Sequence, residues 1–433
     1  MDFEGLPDDL WHLIGSYLSL EELIIASRAS KRWHRILWEE SRRSHLDFSS
    51  VRNIHRQKAI TFISNFQRLK SISFKRFGPS LVNNTFLLEL IAAKDIGGGS
   101  ISSHLEELSL DGCRKLYYPH VKDSTACQLS SGSLSHDFLK RVTLLGLSHL
   151  QDLDDTWLDS TLPLCSSLTD LDLSGTMITR VPLCQKSPLK KIQLSYCLKI
   201  TDESLQSIAT NAPKLEQLYV QGCQEITSEG LRLYVSQLSE LRILNVIDAC
   251  KGSVDDDCLM TLTTSCPLLV ELDLKNFNLL TSRGFDSLTR LKNLTTLNLD
   301  RCRGLTDEDV ENLIKRLGRT VCTLNLSGCR KLSVKAVHSL GNHGRMLQNI
   351  GFAGINLTDS REALFLLSSN CQLLRVLNVA FCLGLDEDIL FGVADRSRQN
   401  LCKLNISGIT VSDEKLKHSF PHLKVVKGSV IQR

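Results

Sequence analysis

Apolar residues recur at the first, fourth and sixth places of a nine-residue phrase, L-x-x-L-x-L-x-x-C, with polar residues between them. The phrase reads LKSISFKRF from Leu69, LEELSLDGC from Leu105, LKRVTLLGL from Leu139 and LTDLDLSGT from Leu168. It continues as LKKIQLSYC from Leu189, LEQLYVQGC from Leu215, LRILNVIDA from Leu241, LVELDLKNF from Leu269 and LTTLNLDRC from Leu294. VCTLNLSGC from Val321, LQNIGFAGI from Leu347, LRVLNVAFC from Leu374 and LCKLNISGI from Leu401 follow, before a frayed HLKVVKGS near Leu423. From Leu189 onward the copies are 26, 26, 28, 25, 27, 26, 27, 27 and 22 residues apart, a regularity that marks a solenoid.

Within a phrase, the last two apolar residues alternate with polar ones at period two, which predicts a short strand with one buried and one open face. A helix start follows, such as Thr201-Asp202-Glu203 or Thr306-Asp307-Glu308, in which the hydroxyl can cap free N–H groups and the acids meet the positive dipole end. The runs SLQSIA and DVENLIKRL then carry apolar residues at helical spacing. One strand and one helix cannot bury both apolar faces alone, whereas stacked copies can. The pattern resembles the cysteine-containing leucine-rich repeat. That resemblance implies an α/β fold, a horseshoe-shaped leucine-rich-repeat solenoid with a concave parallel β-sheet and outer helices, of about 13–14 repeats over residues 69–433.

Cys113, Cys197, Cys223, Cys302, Cys329 and Cys382 fill the ninth place, and Cys250 stands one step later, where the chain turns from strand to helix. A small apolar side chain with a weak S–H donor suits a crowded slot beside a neighbouring carbonyl. Cys165, Cys266 and Cys371 sit a few residues before strands. These are packing places, and C-x-x-C is absent, so no metal and no cofactor is expected. Glycine- and serine-rich runs at 95–104 and 117–136 lengthen the second and third units. SGTMITRVPLCQKSP, after Leu171, leaves no room for a full helix.

Residues 1–45 follow another pattern: LPDDLWHLIGSYLSLEELIIASRASKRWHRILWEE reads as three short helices. Pro7 suits a first helical turn, and Leu10, Leu13, Ile14, Tyr17 and Leu18 make an apolar stripe. Ser19 and Glu22 form a capping box ahead of Leu23 and Ile24, and Ser30 can cap a third helix carrying Trp33. Three of the four tryptophans, Trp11, Trp33 and Trp38, are spent in a segment too small for a core of its own. Such aromatics suit a surface that meets a partner. Leu6-Pro7, Ile14, Leu18, Leu23 and Lys31-Arg32-Trp33 resemble the F-box motif, an all-α three-helix element here placed ahead of the repeats.

The combined resemblance implies a non-catalytic substrate receptor of a Skp-cullin-F-box ubiquitin ligase, with residues 46–68 as a linker or N-terminal cap. The F-box would hold the Skp adaptor, and through it the cullin–RING ligase, by Leu6, Pro7, Leu10, Trp11, Ile14, Leu18, Leu23 and Trp33. The repeats would hold an unknown protein substrate for ubiquitination and proteasomal degradation. A second reading stays open: a leucine-rich-repeat scaffold in which the same helices cap the solenoid. A cap turns all its apolar residues to the first repeat, whereas a receptor keeps Leu10, Trp11 and Ile14 partly free.

Composition narrows the remaining classes. A net charge of +3 gives no pointer to nucleic acid, and no apolar run of about 18 residues points to a membrane. MDFEGLPDDLW carries acid where a signal peptide needs base, so the fifteen cysteines are expected as reduced thiols in the cytoplasm, the nucleus or both. G-x-x-x-x-G-K-[ST], H-E-x-x-H and G-x-S-x-G are all absent, and the histidines lack ligand spacing.

The polar residues flanking the fourth and sixth places are expected on the concave face. The candidate substrate-binding set is Asp170, Asp172, Gln193, Gln217, Tyr219, Asn245, Glu271, Asp273, Asn298 and Asn325. Acids dominate its early members, which favours a basic target, although Arg303, Arg330 and Lys331 just past the strands blur that preference. The column Asn245, Asn298, Asn325, Asn378 and Asn405 is either a preference of the repeat surface or a set of partner contacts. Tyr219 is the one aromatic expected at a central place of this face.

Overall fold

A computed structural model of the chain describes residues 44–49, 51, 56–64, 66, 69–75, 104–113, 138–150, 153–252, 254–410, 412 and 414–428, together with Leu18 and Glu22. The three helices expected over 1–45 lie outside the described residues, as does 117–136 and, except for His104, 95–104. Two compact units divide the fold, Met1–Lys199 with Thr210–Ala212, and Ile200–Ala209 with Pro213–Arg433.

In the first unit, β1 (His45–Asp47), β2 (Ser71–Ser73), β3 (Glu107–Ser109), β4 (Leu144–Gly146), β5 (Asp170–Asp172) and β6 (Lys191–Gln193) pair in parallel and in chain order. Helix α1 (Arg56–Ile63) follows β1, and α2 (Asp155–Thr161) follows β4. Helix α3 (Asp202–Asn211) spans the division between the units.

In the second unit, β7 (Gln217–Tyr219), β8 (Ile243–Asn245), β9 (Glu271–Asp273), β10 (Thr296–Asn298) and β11 (Thr323–Asn325) repeat the arrangement. It continues through β12 (Asn349–Gly351), β13 (Val376–Asn378), β14 (Lys403–Asn405) and β15 (Lys424–Val426). Between them run α4 (Ser228–Tyr234), α5 (Asp256–Ser265), α6 (Ser282–Ser287), α7 (Asp307–Leu317), α8 (Val334–His343), α9 (Arg361–Asn370), α10 (Glu387–Arg396) and α11 (Glu414–Ser419).

Each strand is three residues long with its middle residue turned inward, and registers stack these residues directly: Leu272 on Leu297, Leu297 on Leu324. Burying one such leucine stabilises the fold by about 2 kcal/mol, and the column repeats at every step. Residues 175–188 form no helix, in line with the short phrase there.

One segment gains detail and one phrase is corrected. Segment 46–68, expected as a linker or N-terminal cap, carries most of β1 and all of α1, so strand pairing begins upstream of Leu69. The pattern hid it because Arg43 stands where the first leucine belongs, leaving only the buried Leu46 and Phe48 of the phrase. The phrase read from Leu139 is offset by three residues. Val142, Leu145 and Leu147 are its inward residues, and Leu145 pairs in register with Leu108.

The ninth-place cysteines are buried and act as donors. Sγ of Cys113, Cys197, Cys302, Cys329 and Cys382 lies 2.9, 3.0, 3.2, 3.0 and 3.2 Å from the carbonyl oxygens of Phe74, Leu173, Leu274, Leu299 and Phe352. Each bond ties one turn to the preceding unit. Burial pushes the thiols of Cys266, Cys329 and Cys371 up to about 12, whereas a thiol in the unfolded chain titrates near ~8.5. The folded state therefore holds protons that the unfolded state releases, so this stabilisation is complete below about pH 8.5 and lost as pH climbs toward 12. Urea midpoints are expected to fall steeply above about pH 9, and Cys329→Ala should flatten part of the fall. A midpoint indifferent to pH across that window would contradict the account.

Candidate functional site

The candidate residues occupy the outer places of the strands. Asp170 and Asp172 lie on β5 and Gln193 on β6, in the first unit. Gln217 and Tyr219 lie on β7, Asn245 on β8, Glu271 and Asp273 on β9, Asn298 on β10 and Asn325 on β11, in the second. Register places Tyr219, Asn245, Asp273, Asn298 and Asn325 in one row, with Glu271 level with Gln217 through Ile243. All are half-buried except Glu271, which is exposed. Of the eight adaptor-binding candidates only Leu18 is described, and it is half-buried.

The asparagine column has a local task. Oδ1 of Asn245, Asn298, Asn325, Asn378 and Asn405 accepts the backbone N–H two residues on, at 3.2, 3.0, 3.1, 3.2 and 3.1 Å. Asp172 and Asp273 do the same at 2.9 and 3.1 Å. A short side chain with an acceptor closes the turn where each strand ends, which is why Asn or Asp recurs there.

The acids of the row are engaged within the sheet. Asp172 also accepts from Gln193 at 3.2 Å and Asp273 from Asn298 at 2.8 Å. Burial raises the Asp273 carboxyl above its ordinary value, with the Asn298 amide opposing the shift. Lys275 and Asp300 pair at 3.0 Å beside them. These bonds fix where the carboxyl groups of the row stand on the sheet. Tyr219 sits differently, its hydroxyl 3.4 Å from Gln217 Oε1 and its phenol raised by burial and by nearby Glu271.

A second feature escaped the sequence reading. At the eighth place of the phrase the backbone has positive φ, and glycine fills it at Gly112, Gly175, Gly222, Gly328, Gly354 and Gly408. Tyr196 and Phe381 stand there instead, at φ 62° and 57°, and are 52% and 57% exposed. The available signal was an aromatic where other copies carry glycine.

Among the described residues no group of three or more His, Cys, Asp and Glu side chains could hold a metal ion. Nor is any described helix long and apolar enough to cross a membrane.

Comparison with known proteins places these observations. Residues 3–49 match the F-box-like family, and residues 290–313 match the leucine-rich-repeat family. An F-box-like match thus stands ahead of a leucine-rich-repeat match in one chain. The chain is 25% identical over 275 residues to the DNA repair protein rhp7 of Schizosaccharomyces pombe, across 56% of its own length and 49% of rhp7. It is 26% identical over 264 residues to lysine-specific demethylase 2A of Xenopus tropicalis, across 55% of its length and 22% of that protein. It thus spans less than half the length of either relative. A chain of the yeast Rad7 and Elc1 complex shares the fold, with a TM-score of 0.56 at 17% identity, over 97% of this chain and 90% of that one.

Proposed function

We propose that this protein is the target-recognition subunit of a Skp-cullin-F-box ubiquitin ligase. Its F-box holds a Skp-type adaptor, and the open face and edge of its repeat sheet hold the protein to be ubiquitinated. The observation that carries this reading is the F-box match at 3–49 running straight into β1 of a leucine-rich sheet. A short segment in which three of the four tryptophans are concentrated suits a partner's groove, and a long sheet of short strands offers a broad polar surface for a second protein. The fold neighbour comes from a complex of two proteins, Rad7 and Elc1, in keeping with a repeat protein that works in an assembly. No chemistry is assigned to the chain itself on this reading; the ligase partners supply it.

Tyr219 is the test on the target side. A tyrosine offers broad apolar contact and a hydroxyl at low entropic cost, and its neighbours Gln217 and Asn245 are polar. Proteins that accumulate on the wild-type chain under proteasome block are expected to be recovered severalfold less with Tyr219→Ala, while adaptor recovery stays unchanged. Equal recovery of those proteins would move recognition off β7.

A further inference from the structure

The eighth places of the second unit form a row that continues the strand register. The N–H groups of Arg301, Gly328, Gly354 and Phe381 donate to the carbonyls of Ser327, Ala353, Ala380 and Ser407 at 2.7, 2.7, 2.8 and 2.7 Å. A side chain in this row leans over the same place of the next unit. A Cβ built on Gly328 would lie 2.8 Å from Cγ of Arg301, and one on Gly408 would lie 2.2 Å from Cδ1 of Phe381. Gly354 follows another glycine, so nothing leans over it, and a Cβ there would meet no atom within 4 Å. Arg301 covers Gly328, so the bare backbone left at Gly354, beside Phe381, is a notch about one strand spacing (4.7–4.9 Å) wide.

The residues around this notch are poor choices for packing alone. Phe381 adopts a left-handed backbone that disfavours a bulky residue, yet 57% of it faces water, and Leu383 two residues on is 66% exposed. Tenth and eleventh places nearby carry Arg303, Arg330 and Lys331, all exposed. Asp300 is committed to Lys275 and lies beside Arg301, and among the described residues Arg303, Arg330 and Lys331 make no ion pair. Arg330 follows Cys329 just as Leu383 follows Cys382, so the basic and apolar groups stand two strands apart, roughly 10 Å.

We propose that this edge of the second unit docks an acidic, extended segment of a protein target. One apolar side chain of that segment enters the notch over Gly354 against Phe381 and Leu383, and its carboxylates meet Arg330 and Lys331. The inference rests on the receptor reading for its partner, a protein target, and on charge complementarity for that partner's chemistry. Apolar contact at the notch gives the anchor, while the exposed basic side chains steer the approach and make it sensitive to salt.

The test uses the purified full chain and three short fluorescein-labelled peptides, read by fluorescence anisotropy. One has a central leucine flanked by glutamates, one has the leucine flanked by lysines, and one is glutamate throughout. The first is expected to bind at least tenfold more tightly than either other, more weakly as salt rises. Phe381→Gly should weaken it tenfold or more with the melting temperature unchanged or raised, because glycine suits the backbone there. Gly354→Asn should block it, since asparagine tolerates this backbone and would fill the open space. Arg330→Glu with Lys331→Glu should remove the salt-sensitive part.

Equal or tighter binding of the lysine peptide would overturn the proposal, as would binding indifferent to both Phe381→Gly and Gly354→Asn. Displacement of the peptide by a single-stranded oligonucleotide whose own affinity ignores Phe381→Gly would also overturn it, making the edge a phosphate-binding strip. Peptide binding needs no adaptor, so adaptor recovery measured on the same variants separates failure of this surface from failure of the receptor reading.

Discussion

Replacing Leu6 and Pro7 together by alanine, or Trp33 by alanine, is expected to abolish recovery of the Skp adaptor and of cullin. Large apolar anchors at the centre of such an interface commonly contribute about 2 kcal/mol or more each, roughly thirtyfold in affinity. The repeats are expected to stay folded, because the described core is built from the stacked leucines of the strands and helices from β1 onward. Circular dichroism and urea unfolding of each variant separate lost binding from lost folding. Trp33→Ala alone could act by unfolding the F-box, whereas Leu6→Ala with Pro7→Ala truncates the start of the motif and leaves its tryptophans in place. Unchanged cullin recovery in both variants would remove the ubiquitin-ligase reading.

Asp307→Ala is expected to lower the stability of the second unit by about 2 kcal/mol. The residue opens α7, where its charge faces the positive end of the helix dipole, but its carboxylate also reaches the next unit. Oδ1 accepts the backbone N–H of Ser333 at 2.9 Å and of Ala336 at 3.2 Å, and Oδ2 accepts the Ser333 hydroxyl at 2.6 Å. Ser333 is itself the N-cap of α8, so one carboxylate fastens two successive helix starts.

The same device joins Asp202 to Thr227 and Asp256 to Thr281, with the N–H bonds at 2.8 and 2.9 Å, while Asp155 accepts from the Thr179 N–H at 2.8 Å in the short unit, where no helix follows. Removing it orphans N–H groups at a helix start, and in a stacked array that loss falls on the contact between neighbours. Asp307→Asn keeps the shape and loses the charge, and should fall between wild type and alanine. Thermal unfolding would read the alanine change as a drop of about 4–8 °C. No drop would mean that the bonds are replaced by water without cost.

Much of this architecture was legible because leucine at the first, fourth and sixth places is the packing rule of the sheet itself. The cysteine slot was legible for the same reason, since a buried place beside a carbonyl selects a small weak donor. The offset at Leu139 arose because LKRVTLLGL satisfies the phrase in two registers, and only the pairing of Leu145 with Leu108 decides between them. The aspartate ties were not legible, because they join residues about 25 positions apart whose types already looked sufficient as caps. Their trace was present in Thr227-Ser-Glu-Gly230 and Thr281-Ser-Arg-Gly284. A Cβ at either glycine would stand 1.9 or 2.3 Å from Asp202 or Asp256 Oδ1, so the fourth residue is glycine where the carboxylate passes. The asparagine column was read as surface preference or contact, and its side chains turn out to close their own strand ends. The notch over Gly354 was hidden for another reason: it depends on the residue one whole unit earlier lacking a side chain.

On the proposed reading the F-box holds an adaptor while the repeats stay free for a target. Size-exclusion chromatography of the purified full chain mixed with purified Skp adaptor tests that directly. Co-elution as a single complex, which then retains cullin and is lost with Leu6→Ala and Pro7→Ala, is the predicted result. Separate elution of a folded chain and a folded adaptor would contradict it.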